Sequence, residues 1–175
     1  MDILQYREKA HQKDRRDMLA ECMAIRKITA DAGIPFIVND FLDIALMVQA
    51  DGVHVGQEDL PVTEVKKLAP HLMVGCSTHS PAQAAQAVKD GADYIGVGPV
   101  FSTQTKTDVC DPVGFEYLEH VVANHTIPFV AIGGIKRHNI KAVVDRGAAT
   151  ICLVTEIIGA QDIKARIHEI KACYL

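Results

Sequence analysis

In Ile3-Leu4-Gln5-Tyr6-Arg7-Glu8-Lys9 a period of two sets Gln5, Arg7 and Lys9 on one face of an extended segment and Leu4, Tyr6 and Glu8 on the other. The first of these faces carries an amide and two cations. It is either an edge-strand face left to water or a lining that meets an anionic ligand, because charges buried without a partner are costly. Polar residues recur where apolar runs stop. Asn39-Asp40 follows Phe36-Ile37-Val38, Gln57-Glu58-Asp59 follows Val53-His54-Val55, Ser77-Thr78-His79 follows Met73-Val74-Gly75-Cys76, and Thr103, Thr105 and Lys106 follow Ile95-Gly96-Val97-Gly98. Singly, each is an ordinary turn or helix cap. In combination with Gln5, Arg7 and Lys9 they suit one polar rim around an anion. Gly133-Gly134 suits phosphate through exposed backbone N–H groups, the alternative being a tight turn that allows close approach, and Val154-Thr155 ends the last apolar run just before a turn, the place where barrels commonly hold phosphate.

The elements that must position these residues alternate along the chain. Short runs rich in branched residues predict seven strands, over 3–7, 36–39, 52–55, 72–76, 94–98, 129–132 and 150–155. Amphipathic stretches predict helices near 13–32, 41–49, 61–69, 81–90, 114–124, 137–146 and 160–172, some opened by Pro61 and Pro81. Strand then helix, repeated, is the pattern of a parallel sheet, and strand ends then share one rim. A weak internal echo marks the unit: Gln49-Ala50-Asp51-Gly52-Val53, Gly91-Ala92-Asp93-Tyr94-Ile95 and Gly147-Ala148-Ala149-Thr150-Ile151 each end a helix and open a strand. Gly91 and Gly147 suit a left-handed helix cap. No Gly/Ser-rich or Pro-rich linker interrupts the series, so a single domain over 1–175 is expected.

Composition narrows the functions. A chain of 175 residues with 49% hydrophobic and 23% charged residues suits a globular domain and excludes disorder. A net charge of −4 provides no electrostatic footprint for nucleic acid. No apolar run is long enough to span a membrane. Cys22, Cys76, Cys110, Cys152 and Cys173 lack the spacing of a zinc site or disulfide scaffold, and are expected to be reduced and buried, as in a cytoplasmic protein. His54 and His79 have no evident Ser or Cys partner and are expected to hydrogen-bond rather than act as bases.

Six separated motifs resemble the thiamine phosphate synthase family: Gln5-Tyr6-Arg7-Glu8-Lys9, Asn39-Asp40, Gly56-Gln57-Glu58-Asp59-Leu60-Pro61, Ser77-Thr78-His79-Ser80, Gly98-Pro99-Val100-Phe101 with Thr103-Gln104-Thr105-Lys106, and Ile132-Gly133-Gly134-Ile135. The resemblance implies an α/β fold, a TIM-type (β/α)8 barrel, and a transferase that joins a pyrimidine methyl diphosphate to a thiazole phosphate with release of pyrophosphate. It implies Mg2+ on Asp40 and Asp59. It implies that Gln5, Arg7, Lys9, Asn39, Ser77 and Lys106 hold the pyrimidine diphosphate, with Arg7, Lys9 and Lys106 stabilising departing charge. Thr103, Gln104, Thr105, Gly134, Val154 and Thr155 are implied to hold the thiazole phosphate. Family members carry one more βα unit ahead of the Gln5 strand, so the expectation here is a barrel lacking its first unit, either through an upstream start or a lost piece. Unpaired edges on the Gln5 and 150–155 strands would then favour association into homo-oligomers. Two other readings share the fold: a thiazole tautomerase that moves protons with a rim histidine, and a non-catalytic remnant.

Overall fold

The computed structural model describes residues 1–8, 13–103 and 110–173. Six strands are present: β1 (Leu4–Tyr6), β2 (Phe36–Asn39), β3 (Gly52–Val55), β4 (Met73–Thr78), β5 (Tyr94–Val97) and β6 (Phe129–Ala131). They follow one another in sequence order in one sheet. The helices are α1 (Arg15–Asp31), α2 (Leu42–Met47), α3 (Val62–Leu68), α4 (Pro81–Lys89), α5 (Gly114–Asn124), α6 (Ile140–Val144), α7 (Thr155–Ile158) and α8 (Ile163–Lys171). The chain forms two compact units, Met1–Cys76 with Lys89–Asp93, and Ser77–Val88 with Tyr94–Leu175.

In the first unit β1 to β4 pair in parallel, with Gln5 opposite Ile37, Asn39 opposite His54, and His54 opposite Gly75. Registered partners in parallel strands share a face, so side-chain alternation divides the sheet as expected. Tyr6 turns toward α1, where its hydroxyl donates to Glu21 at 2.7 Å, while Gln5 on the other face is exposed. Met18 and Cys22 of α1 are fully buried, as are Phe36, Val38, Val53 and Val74 of the strands. The tie at Tyr6 has an electrostatic consequence. Burial first, then the Glu21 hydrogen bond and charge, raise the Tyr6 phenol above its ordinary value. Hydrogen bonds from Lys13 and Tyr6 hold the Glu21 carboxyl below the usual carboxylate range.

The internal echo acquires a physical meaning here. The Asp51 carboxylate accepts the Phe36 N–H at 2.7 Å and Arg26 of α1 at 2.6 Å, while its own N–H donates to the Phe36 carbonyl at 2.9 Å. Asp93 repeats the arrangement with the Val74 N–H at 2.6 Å and with Lys66 of α3. Each aspartate therefore clamps the start of one strand to the preceding strand and to the helix that leads into that preceding strand. The corresponding residue of the third copy is Ala149, which has no carboxylate to offer. Gly91 and Gly147 adopt the expected left-handed conformation at φ 84° and 93°, and Gln49 takes it at φ 53° in the first copy.

The seventh strand expected at 150–155 does not form. A single bridge joins Ala131 to Ile151, held by Ala131 N–H to Thr150 O at 3.0 Å and Cys152 N–H to Ala131 O at 2.9 Å. β6 ends at Ala131 because Gly133 and Gly134, at φ 98° and 61°, turn the chain away, so no longer ladder is offered to it. Thr155 opens α7 instead. β4 in turn runs further than expected, through Ser77 and Thr78, because Thr78 Oγ1 donates to the Gly96 carbonyl at 2.8 Å and accepts the Tyr117 hydroxyl at 2.7 Å.

Asp51→Ala is expected to destabilise the protein by about 1–3 kcal/mol, because it strands the Phe36 N–H, which sits against a charged acceptor. Arg26→Ala should cost less than about 1 kcal/mol, since the Asp51 side chain is 39% exposed and the ion pair is screened. Urea unfolding of the two variants checks the order; equal losses would assign the effect to the ion pair.

Candidate active site

The expected residues of the first unit gather at the carboxyl ends of neighbouring strands. Asn39 is the last residue of β2, buried at 6% exposure, and stands opposite His54, which is itself buried. The β1–β2 register carried one residue past Tyr6↔Val38 sets Arg7 beside Asn39. Arg7 is half-buried, and among the described residues its Nε is the buried side-chain polar atom that has no hydrogen-bond partner. A buried donor left unsatisfied costs about 1–3 kcal/mol, so such an atom marks a place shaped for a missing acceptor.

Asp40 follows Asn39 directly and has a left-handed backbone at φ 65°. Aspartate tolerates that region better than most residues, and backbone outliers cluster at functional positions. Its N–H donates to the His54 carbonyl at 2.8 Å, which binds the β2 terminus to the neighbouring strand. Asp59 lies in the loop after β3, and its Oδ2 accepts the Gly56 N–H at 2.7 Å, closing a tight loop ahead of Pro61. Both carboxylates thus follow adjacent parallel strands.

Cys76 closes the Met73–Cys76 stretch of the first unit. Gln57 Nε2 donates to its sulfur at 3.7 Å. Burial, with Asp90 and Asp59 adding, pushes its thiol up. Burial, then Glu21, pushes the Cys22 thiol up to about 11. The expectation that all five cysteines are buried is corrected. Cys110 is exposed, and Cys152 and Cys173 are half-buried because neither lies in a paired strand. With Ellman's reagent at neutral pH, Cys110 is expected to react first, and Cys22 and Cys76 only after unfolding, since the thiolate is the reactive form. Early modification of Cys22 would contradict this packing.

In the second unit Ser77 lies within β4 and Thr103 is half-buried. Gly133 and Gly134 serve the close approach that was the alternative for them. A Cβ on Gly134 would stand 2.5 Å from the Ser102 carbonyl and 2.8 Å from Phe101 Cβ, and one on Gly133 2.3 Å from Pro99 Cβ. Phe101 N–H donates to the Gly133 carbonyl at 3.0 Å, so this turn and the 99–102 segment are locked together. His79 Nδ1–H donates to the Gly98 carbonyl at 2.5 Å, a supporting hydrogen bond of the kind expected. Val154 and Thr155 are exposed at the start of α7 rather than at a strand end. Thr155 Oγ1 accepts from Lys136 at 2.6 Å, an association invisible to motif reading because the two lie 19 residues apart. Lys9, Gln104, Thr105 and Lys106 lie outside the described residues.

A surface groove lined by Arg15, Phe41, Asp43 and Leu60 meets Asp40 but none of the other expected residues. It belongs to the α2 side of the strand end.

Among the described residues no group of three His, Cys, Asp or Glu side chains is placed to hold a metal ion by itself. That donor count still suits Mg2+, which is commonly held by one or two carboxylates with substrate phosphate oxygens and water completing the shell. Asp40 and Asp59, which follow adjacent strands, are two hard oxygen donors of the kind this ion takes.

Parallel strands, each with a following helix, whose carboxyl ends carry Asn39, Asp40 and Asp59 beside a half-buried Arg7 define an α/β protein. The chain belongs to the thiamine monophosphate synthase (TMP-TENI) family, whose pattern matches residues 1–157. It is 58% identical over 171 residues to the thiamine-phosphate synthase of Pelotomaculum thermopropionicum, covering 97% of this chain and 78% of that protein. The thiamine-phosphate synthase of Shouchella clausii is 54% identical over 166 residues, covering 94% and 78%. Among solved structures, a thiamine phosphate pyrophosphorylase from Pyrococcus furiosus superposes with a TM-score of 0.86 at 34% identity, covering 97% of this chain and 80% of that one. A 3-hexulose-6-phosphate synthase, at 21% identity and a TM-score of 0.76, shares the fold.

Proposed function

We propose that this chain is a thiamine phosphate synthase, a transferase that forms a C–N bond between a pyrimidine methyl diphosphate and a thiazole phosphate and releases pyrophosphate. The observation that carries the reading is the buried Arg7 Nε without a hydrogen-bond partner, one residue past β1, in a sheet whose next two strands are followed by Asp40 and Asp59. Six parallel strands in sequence order, each with a following helix, support a (β/α)8-type topology for a single domain over 1–175.

In this reading Gln5, Arg7, Lys9, Asn39, Ser77 and Lys106 hold the pyrimidine diphosphate, and Thr103, Gln104, Thr105, Gly134, Val154 and Thr155 hold the thiazole phosphate. Asp40 and Asp59 hold Mg2+, which, when bound, offsets negative charge on the diphosphate. The C–O bond of the pyrimidine methyl group breaks with its electron pair leaving on pyrophosphate. The thiazole nitrogen then donates its lone pair to the methylene carbon. Arg7, Lys9 and Lys106 stabilise charge that accumulates on the leaving group, and no covalent enzyme nucleophile is required. Holding the two substrates in line and excluding water, which would capture the same carbon, is the remaining task of the protein. A tautomerase needs no diphosphate or metal site, so the intact Gly56-Gln57-Glu58-Asp59 segment favours the synthase.

Pyrophosphate release by the purified chain tests the proposal. Release is expected only when both substrates and Mg2+ are present, with loss on chelation. Release that ignores the thiazole phosphate, or none under any condition, would overturn it.

A further inference from the structure

The loop that follows β6 carries a cation that no family motif assigns. Lys136 comes two residues after Gly134, and Asn139 fixes the segment between them: the Lys136 N–H donates to Asn139 Oδ1 at 2.7 Å, and Asn139 Nδ2 donates to the Gly134 carbonyl at 3.1 Å. From this anchored backbone the Lys136 ammonium reaches the Thr155 hydroxyl at 2.6 Å. One lysine thereby spans both segments, Gly133-Gly134 and Val154-Thr155, that are read as phosphate-binding.

Its charge is only partly met by the protein. Glu156 Oε2 is 3.8 Å from Lys136, but Glu156 Oε1 accepts Arg166 at 2.6 Å and is neutralised there. Glu169 is shared by Arg166 at 3.4 Å and Arg137 at 3.6 Å. Around Thr155 the cations Lys136, Arg137 and Arg166 therefore face the carboxylates Glu156 and Glu169, and one positive charge is in excess. Lys136 is about one-third exposed, so its ammonium is held near a fixed point and still open to a ligand. A lysine needs only small torsional changes to move a point charge from a hydroxyl to a nearby phosphate oxygen.

We infer that Lys136 is a phosphate-binding residue of this chain, neutralising the monophosphate of the thiazole substrate at Gly134 and Thr155. The inference rests on the proposed synthase reading and adds to it the residue that recognises the phosphorylated form of that substrate. A lysine at this place selects a thiazole bearing a phosphate over the same thiazole ending in a hydroxyl, because only the former gains a charge-assisted contact.

The test compares wild type with Lys136→Gln and Lys136→Arg in pyrophosphate release. The KM for thiazole phosphate is expected to rise about tenfold or more in Lys136→Gln and to recover to within about threefold in Lys136→Arg, while the KM for the pyrimidine diphosphate shifts less than about twofold. Added KCl should narrow the gap between wild type and Lys136→Gln, because bulk salt screens the exposed charge. An unchanged thiazole phosphate KM would overturn the inference. So would a rise in both KM values together with a lower urea midpoint, which would make Lys136 a tether between the 133–136 loop and α7. Should wild type release no pyrophosphate, the synthase reading has failed. Calorimetric titration of thiazole phosphate into wild type and Lys136→Gln then decides separately: weaker binding by the variant upholds the residue's role, and equal binding or none by either overturns it.

Discussion

Asp59→Asn is expected to lower pyrophosphate release by about 10²–10³ at limiting Mg2+ and to leave the urea unfolding midpoint unchanged. The asymmetry follows from what the carboxylate does in the fold. Its Oδ2 accepts the Gly56 N–H at 2.7 Å, and the asparagine amide oxygen can accept the same bond, so the loop after β3 keeps its closure. The negative charge is lost, and with it one of the two hard oxygen donors that the proposed Mg2+ site has in Asp40 and Asp59. A divalent ion held largely by substrate phosphates has little to spare when one of two protein carboxylates goes. Raising Mg2+ should restore part of the rate, because affinity rather than scaffolding was removed. The check is a Mg2+ titration of both proteins in the release assay. Identical titration curves would dissociate Asp59 from the ion, and a lowered urea midpoint would make it structural. Asp59→Ala is the less informative variant, since it also abandons the Gly56 N–H.

Arg7→Met should move activity and stability differently. The apolar stem of arginine is nearly matched by methionine, so packing at the end of β1 is retained. The buried Nε makes no hydrogen bond in the protein, and removing it leaves no acceptor stranded there. Stability is therefore expected to hold or to rise by up to about 1 kcal/mol, since an unsatisfied buried donor is relieved. Release of pyrophosphate should nonetheless fall by about 10²–10³, the cost of losing one donor aimed at developing negative charge. Urea unfolding beside the release assay reads both quantities. A variant that is destabilised yet turns over at the wild-type rate would show that Arg7 serves the fold and not the substrate.

Both expectations depend on features that the sequence displays in part. Alternation in Leu4-Gln5-Tyr6 assigns Gln5 and Tyr6 to opposite faces, and the structure agrees, with Tyr6 on α1 and Gln5 exposed. This succeeds because side-chain direction in a strand is a local property with a fixed period. The ends of β2 and β3 are local in the same way, so Asp40 and Asp59 were readable as strand-end residues. That the Arg7 Nε is enclosed without a partner is not local. It depends on which groups from other strands and loops reach it.

The six motifs were likewise enough to reach the family, because each is a short run of residue types at short spacing. The pattern failed where pairing depends on distant chain. The branched run at 150–155 has strand composition, but β6 is cut short by Gly133-Gly134 and Ala149 replaces the aspartate that clamps the other two copies of the echo. A strand needs a ladder to join, and β propensity alone does not provide one. The cysteines failed similarly, since Cys22 and Cys110 have the same side chain and opposite exposure.

The residue order by itself therefore determined the succession of the six strands and the helices that follow them, the two-faced β1, and the polar residues at the strand ends. Those properties arise from backbone periodicity and from residues a few positions apart. Tertiary structure alone decided that Lys136 meets Thr155, that Asp51 and Asp93 clamp strand starts, and that 150–155 stays a single bridge. Each of these joins groups more than a dozen residues apart, and only packing fixes which of many distant donors and acceptors come within about 3 Å.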